Sequence, residues 1–141
     1  AKDHPAIRLS AQNLTALAAF GQERGVQVNT ENFRALANHS SHVLAILDLC
    51  DGAVGLCADF GNDKGDAKYD ELAAILPHAN VLHAKADYPA AGQMAREDFE
   101  HCLDLADAAL FDGPYSLIFD GPGSEWDSLA EIQEVVEPRI S

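Results

Sequence analysis

Four segments of this chain each alternate apolar and polar residues and then end in an acid, a histidine or a lysine. In chain order they read VQVNTEN, VGLCADFGN, VLHAKAD and YSLIFDG. Stretches with helical spacing of apolar residues precede the first segment and follow each of the four, with Ser10 and Ser124 as predicted N-caps of the first and last helices. Strands that alternate with helices form parallel sheets through right-handed crossovers, so the sequence predicts an α/β fold whose strand ends share one rim.

Only one parity of each segment is apolar, and this distinguishes two parallel architectures. An open doubly wound sheet is covered by helices on both faces and needs apolar residues at both parities. Here the second parity carries polar or small side chains that lead to a polar end, which is typical of the interior of a TIM-type (β/α) barrel. Those positions are Gln27, Asn29, Glu31, Gly55, Cys57, Asp59, His83, Lys85, Ser116 and Asp120.

Four strands are too few to close a parallel barrel, which needs about eight. We therefore predict that residues 1–141 form a single domain that is half of a (β/α) barrel, with four βα units and a leading helix. Such a half would leave two strand edges unpaired and an interior facing water, which favours association. We expect either a homodimer or association with the missing barrel half.

Composition excludes several classes of partner. The chain has 23 acidic residues against 9 Lys and Arg, and its formal charge of −14 repels nucleic acids and anionic membranes. No apolar run has the length of a transmembrane span. Three cysteines without a C-x-x-C spacing argue against a disulfide framework or a structural zinc site. This cysteine usage is typical of a cytoplasmic protein.

Four motifs carry a resemblance to a known family: TENF, GLCADFGN, VLHAKAD and the closing GPYSLIFDGPGSEWDSLAEIQEVVEP. They resemble the xylose-isomerase-like TIM barrels, the superfamily of sugar phosphate isomerases and epimerases. The likeness covers nearly the whole chain, but only strands five to eight of the family's barrel. It implies a divalent metal, Mn²⁺, Mg²⁺ or Zn²⁺, that is held by carboxylates and a histidine. That metal would bind the oxygens of a small sugar or sugar-derived substrate while an acid moves a proton.

The resemblance also implies roles for individual residues. Glu31 in TEN matches the strand-five glutamate that binds the metal and acts as acid and base. Asp59 in CADFGN and His83 in HAK match the metal ligands of strands six and seven. Asn62 falls where many relatives have a histidine that contacts the substrate.

Strand eight departs from the family pattern. The family's glutamate there, a ligand and the second catalytic group, aligns with Ile118, whose side chain can fill neither role. Asp120 lies two residues further along the same face, so it is the candidate replacement as metal ligand and catalytic acid. The alternatives for Asp120 are a helix cap or a turn acid.

Structural roles compete with the other assignments. Glu31 and Asp59 are also well placed to cap the helices that follow their strands. Lys85 is either a counter-ion of the acidic rim or a catalytic group that binds the substrate and polarises its carbonyl. Trp126 either binds the substrate by stacking on a sugar ring or packs against its own loop.

The predicted function is a metal-dependent sugar isomerase or epimerase, or a fragment of one. Proton abstraction beside a carbonyl needs a carboxylate base and a metal or donor that stabilises the enediolate. Glu31 is the predicted base. Two alternatives stay open: a lyase or dehydratase on the same scaffold, and a non-catalytic half barrel that acts as an assembly module.

Overall fold

A computed structural model describes residues 1–140 of the chain. No helix in this range is both long enough and apolar enough to cross a lipid bilayer. In chain order the elements are α1 (Pro5–Gln22), β1 (Asn29–Glu31), α2 (Arg34–Ala37), α3 (Ser40–Leu49), β2 (Gly55–Asp59), α4 (Lys68–Ile75), a 3-10 turn (Leu76–His78), β3 (Val81–Lys85), α5 (Arg96–Ala108), β4 (Tyr115–Ile118), α6 (Glu125–Val136) and a second 3-10 turn (Glu137–Arg139).

The four strands run parallel and pair in chain order, β1-β2-β3-β4. This confirms the predicted alternation of helices and strands and the parallel sheet. The register places Glu31 opposite Cys57, and Asp59 opposite His83. Side chains of one parity therefore lie next to each other across the strands, and the carboxyl ends of the strands share one edge of the sheet.

One face of the sheet packs against helices. Leu56 and Leu82 are fully buried there, in a cluster with apolar residues of α3, α4, α5 and α6. Burial alternates residue by residue along β3, where His83 and Lys85 belong to the partly exposed parity. The one-sided apolar pattern of the sequence thus corresponds to one helix-covered face, and the polar residues lie on the other.

The first helix begins earlier than predicted. α1 starts at Pro5, whose ring suits the first helical position, and His4 Nδ1 accepts a hydrogen bond from a helix amide at 3.2 Å. Ser10, the predicted N-cap, therefore lies inside the helix. The other predicted N-cap is confirmed, because Ser124 Oγ accepts from the amide of Asp127 at 3.4 Å.

The first strand is shorter than its sequence segment. β1 contains only Asn29–Glu31, and Val26, the apolar residue that begins the segment VQVNTEN, is exposed. The amide of Val26 donates to the carbonyl of Gly21 at 3.0 Å, and Gly25 has a φ of 68°. These residues therefore end α1 with a left-handed glycine turn rather than extend β1. The short helix α2 has no counterpart in the predicted element order.

An ion pair joins the start of α4 to the start of α5. Lys68 Nζ lies 2.6 Å from Asp98 Oδ2, and Tyr69 donates a hydrogen bond to Asp98 Oδ1 at 2.9 Å. Burial alone would lower the pKa of Lys68, but the hydrogen bond to Asp98 and nearby charges outweigh it, so the pKa is raised. Lys68 is therefore cationic at neutral pH, and Asp98 balances its charge.

We expect Lys68→Ala to lower the free energy of unfolding by about 3 kcal/mol, because Asp98 would lose its cation in a partly buried position. Lys64→Ala is the matched control. Lys64 pairs with Asp87, but its side chain is 59% exposed, whereas that of Lys68 is 6% exposed. The control should change the free energy by less than about 1 kcal/mol. Urea unfolding measures both, and equal losses would contradict the role given to the Lys68 pair.

Candidate metal centre

Three of the predicted metal ligands come together at the polar ends of the strands. Glu31 ends β1, Asp59 ends β2, and His83 lies opposite Asp59 on β3. His83 Nδ1 is 3.3 Å from Asp59 Oδ2 and 3.7 Å from Glu31 Oε1. One potential ligand atom from each residue lies within 4.8 Å of the other two. These three residues, called the triad below, can offer two carboxylate oxygens and one imidazole nitrogen to a single cation.

Exposure differs across the triad. The Asp59 side chain is 4% exposed, compared with 29% for His83 and 34% for Glu31. Asp59 is therefore held inside the protein, whereas the other two side chains can be reached from solvent. A buried carboxylate is costly unless donors or cations surround it, so the contacts of Asp59 decide whether the triad is stable.

Each carboxylate of the triad receives a hydrogen bond that fixes its orientation. The amide of Gly61 donates to Asp59 Oδ1 at 2.7 Å, and Asn62 Nδ2 donates to Glu31 Oε1 at 2.8 Å. Neither acid caps a helix, because the N-termini of α2 and α4 have no side-chain cap. Asn62 thus contacts the triad, at the position where the resemblance implies a substrate-binding residue.

Asn32 is a buried contact of Asp59 that the sequence pattern did not indicate. Its Nδ2 donates to the carbonyl of Asp59 at 3.0 Å and to Asp63 Oδ2 at 2.8 Å, and its Oδ1 accepts from the amide of Asp59 at 2.7 Å. The alternation of the strand assigned Asn32 to the parity opposite Glu31, so it was not a candidate. The one sequence feature that could have indicated this contact is the position of the Asn32 amide directly after Glu31, a predicted ligand.

Cys57 is a neutral neighbour of the triad. It lies on β2 opposite Glu31 and two residues before Asp59. Burial, followed by the negative charges of Glu31 and Asp59, raises the pKa of the Cys57 thiol to about 12. Metals bind the thiolate rather than the thiol, so Cys57 is a poor ligand here. The donor set is therefore carboxylate and imidazole.

Lys85 and Asp120 form an ion pair beside the triad. Lys85 Nζ lies 2.5 Å from Asp120 Oδ2. Burial alone would lower the pKa of Lys85, but the hydrogen bond to Asp120 and the charge of Asp59 outweigh it and raise the pKa. The stem of Lys85 crosses Gly61 so closely that a Cβ there would lie 2.7 Å from Lys85 Cδ. Lys85 is therefore a fixed cation, as expected of a counter-ion of the acidic rim.

Two predicted site residues, Asp120 and Trp126, are not members of the triad. Asp120 follows the end of β4, pairs with Lys85, and is not a member of the potential ligand group found among residues 1–140. Ile118 opposes Lys85 in the strand register, so β4 offers an aliphatic side chain at that level. Trp126 lies in the first turn of α6 and is exposed.

Comparisons with known proteins add no family assignment. No protein-family model matches the chain, and no curated protein matches it. The superfamily indicated by the motifs stays a prediction. The functional proposal therefore depends on the geometry and chemistry of the triad.

The pKa of Asp63 predicts a measurable pH dependence of stability. Burial raises this pKa above the ordinary 3.8, and the hydrogen bond from Asn32 opposes the increase. A raised pKa in the folded state means that the contribution of this group to stability is present at low pH and is lost as the pH rises through the raised value. Asp63→Asn removes the charge and leaves an acceptor for Asn32.

We therefore expect the variant Asp63→Asn to gain stability relative to the wild type as the pH rises from below 3.8 to neutral. Urea unfolding over this pH range measures the difference between the two proteins. Asp112→Asn, at an exposed loop position, is the control and should show no such trend. If the difference in stability between Asp63→Asn and the wild type were the same at all pH values, the pKa of Asp63 would not be raised in the folded protein, and the prediction would be wrong.

Proposed function

We propose that the chain is a metal-dependent sugar isomerase, or the half of one that carries its metal ligands. The triad is the observation that supports this most strongly. It gathers two carboxylates and an imidazole from three neighbouring strands within 4.8 Å. In parallel (β/α) barrels the catalytic groups come from the carboxyl ends of different strands. Glu31 and Asp59 end β1 and β2, and His83 lies opposite Asp59 on β3.

We also propose that the chain forms a TIM-type half barrel. Consecutive parallel pairing and a helix-covered face are features of barrel sheets, and β1 and β4 each pair on one side only. The eight large apolar side chains that are exposed among the described residues all lie at positions 9–33 or 110–140. Those segments flank the two edge strands. This distribution favours association at the edges, with a second copy of the chain or with a separate barrel half.

The donor set of the triad fits a divalent cation such as Mn²⁺, Mg²⁺ or Zn²⁺. Asp59 and Glu31 would supply hard oxygens and His83 a nitrogen. A protonated His83 would balance only one of the two negative charges of Glu31 and Asp59, whereas a divalent cation would balance both. Gly61 and Asn62 hold the carboxylates through hydrogen bonds, as outer contacts of metal ligands commonly do.

Glu31 is the proposed proton-transfer group. When bound, the metal would polarise the carbonyl and hydroxyl oxygens of the sugar. Glu31 is partly exposed and its Oε1 is oriented by Asn62, so a substrate can reach it. The amide oxygen of Asn62 can also accept a hydrogen bond from a sugar hydroxyl. Asp59 is buried and held through both carboxylate oxygens, which suits a ligand rather than a base.

A single catalytic carboxylate favours isomerisation over epimerisation. One base can move a proton between the neighbouring carbons of an enediolate on one face, whereas inversion at a carbon requires proton delivery to the opposite face. Ile118 occupies the position where the resemblance places a second base, and Asp120 is engaged by Lys85. Lys85 is a fixed cation that can stabilise the negative charge developing on the enediolate.

A dehydratase on the same scaffold is the second candidate. It needs the same base and, in addition, a group that protonates the departing hydroxyl. Lys85 is the ammonium group beside the triad and would be this proton donor, which is the observation that favours a dehydratase over other lyases. A chain that binds no divalent cation would instead be the non-catalytic assembly module.

We expect the wild-type chain to bind one Mn²⁺ ion, because the triad forms one cluster. Asp59→Asn and His83→Ala should each weaken binding by at least about tenfold, since the first removes the negative charge of a ligand and the second removes a ligand altogether. Asp112→Asn and His78→Ala are matched controls at exposed positions and should bind normally. Titration calorimetry measures the affinity. Absence of binding by the wild type to Mn²⁺, Mg²⁺ and Zn²⁺ would contradict the proposed function.

We expect the metal-loaded protein to exchange a carbon-bound proton of a ketose with solvent deuterium, as detected by NMR across a panel of sugars. Glu31→Gln should slow the exchange by about 100-fold or more, because it removes the base. Glu134→Gln, on the exposed side of α6, is the control and should exchange at the wild-type rate. An aldose product identifies an isomerase, whereas loss of water from the sugar identifies the dehydratase. Equal rates for Glu31→Gln and the wild type would refute the role of Glu31.

A further inference from the structure

We infer that Asn32 and Asp63 are positioning residues for Asp59, the most buried ligand of the proposed metal centre. The inference rests on that centre where it concerns metal affinity, but the contacts that carry it are independent of a metal. The chain of hydrogen bonds from Asp63 through Asn32 to Asp59 is called the relay below.

The Asn32 side chain takes the place of a peptide group beside β2. β1 ends at Glu31, so the backbone ladder between β1 and β2 stops before it reaches Asp59. Asn32 Oδ1 then accepts from the Asp59 amide at 2.7 Å, and Asn32 Nδ2 donates to the Asp59 carbonyl at 3.0 Å. A carboxamide has the same donor and acceptor as a peptide group, so it can hold both backbone groups of Asp59 at once.

The third contact of Asn32 fixes which way its amide points. Asp63 Oδ2 accepts from Nδ2 at 2.8 Å, and an ionised carboxylate can only accept. A flipped amide would place its one oxygen against both Asp63 Oδ2 and the Asp59 carbonyl, and its NH2 group against the Asp59 amide. Asn32 is 2% exposed, so water cannot readily replace any of the three bonds. The relay therefore has one stable arrangement.

The position of the Asp59 backbone determines where its carboxylate lies. With the backbone held, Asp59 Oδ1 accepts from the amide of Gly61, and Oδ2 lies 3.3 Å from His83 Nδ1. Loss of the relay would leave two buried backbone groups of Asp59 without partners, and the strand end would have to move to satisfy them. Oδ2 would then shift relative to His83, and the spacing of the triad would change.

Mn²⁺ affinity, measured by titration calorimetry on folded protein, tests the relay. We expect Asn32→Ala to weaken binding about 10- to 100-fold, the usual cost of losing an outer contact of a ligand. Asp63→Ala should weaken it less, and Asp63→Asn, which keeps an acceptor, should bind like the wild type. Leu103→Ala is the control: it creates a cavity in the buried face of α5 and lowers stability, but it leaves the relay intact.

The nitrogen NMR shift of His83 Nδ1 provides a readout that needs no metal, because it senses the hydrogen bond with Asp59 Oδ2. We expect it to move in Asn32→Ala and, by less, in Asp63→Ala, and to stay constant in Leu103→Ala. If the wild type binds none of Mn²⁺, Mg²⁺ and Zn²⁺, the proposed function fails, and this shift still decides the inference. If Asn32→Ala does not fold, Asp63→Ala decides it. Unchanged shifts in the relay variants would overturn the inference, as would a shift that moves equally in Leu103→Ala.

Discussion

The register between β2 and β3 is the constraint on which the polar rim depends. It sets Asp59 opposite His83, and a slip by one residue would turn one of these side chains towards the helices. Such a slip is opposed by the other parity, because Leu56 or Leu82, whichever lies on the displaced strand, would leave the core in which it is fully buried. Burial of either side chain contributes roughly 2 kcal/mol. Apolar packing on one face of the sheet thus fixes the arrangement of charged groups on the other.

The features of the fold that follow from periodicity could be predicted, and those that depend on single hydrogen bonds could not. The alternation of apolar residues with small or polar ones in the sequences of β2 and β3 identified both strands and the face on which their polar residues lie. The start of α1 depends on a hydrogen bond to His4, and the short length of β1 depends on the bond between Val26 and Gly21. Neither bond leaves a periodic signal, so both ends were misplaced.

The same distinction applies to the candidate site. Glu31, Asp59 and His83 were found because each stands at or near a strand end, where parallel topology brings residues together. The role of Asn32 comes from bonds to residues 27 and 31 positions away, which only the folded chain reveals. The pairing of Lys85 with Asp120 likewise arises between neighbouring strand ends, and it separates Asp120 from the ligands with which it was grouped.

Closure of the proposed barrel and cation binding should favour each other. Glu31 and His83 are partly exposed on the less covered face of the sheet, so water weakens their attraction for a cation. A second barrel half across that face would lower the local dielectric constant and strengthen the attraction. It would also raise the free-energy cost of keeping the two carboxylates of the triad ionised without a cation. Any ligand that binds one state more tightly shifts the equilibrium towards that state. A cation held by the triad would therefore stabilise the closed assembly. By linkage, the free energy of this stabilisation equals the free energy by which closure strengthens cation binding.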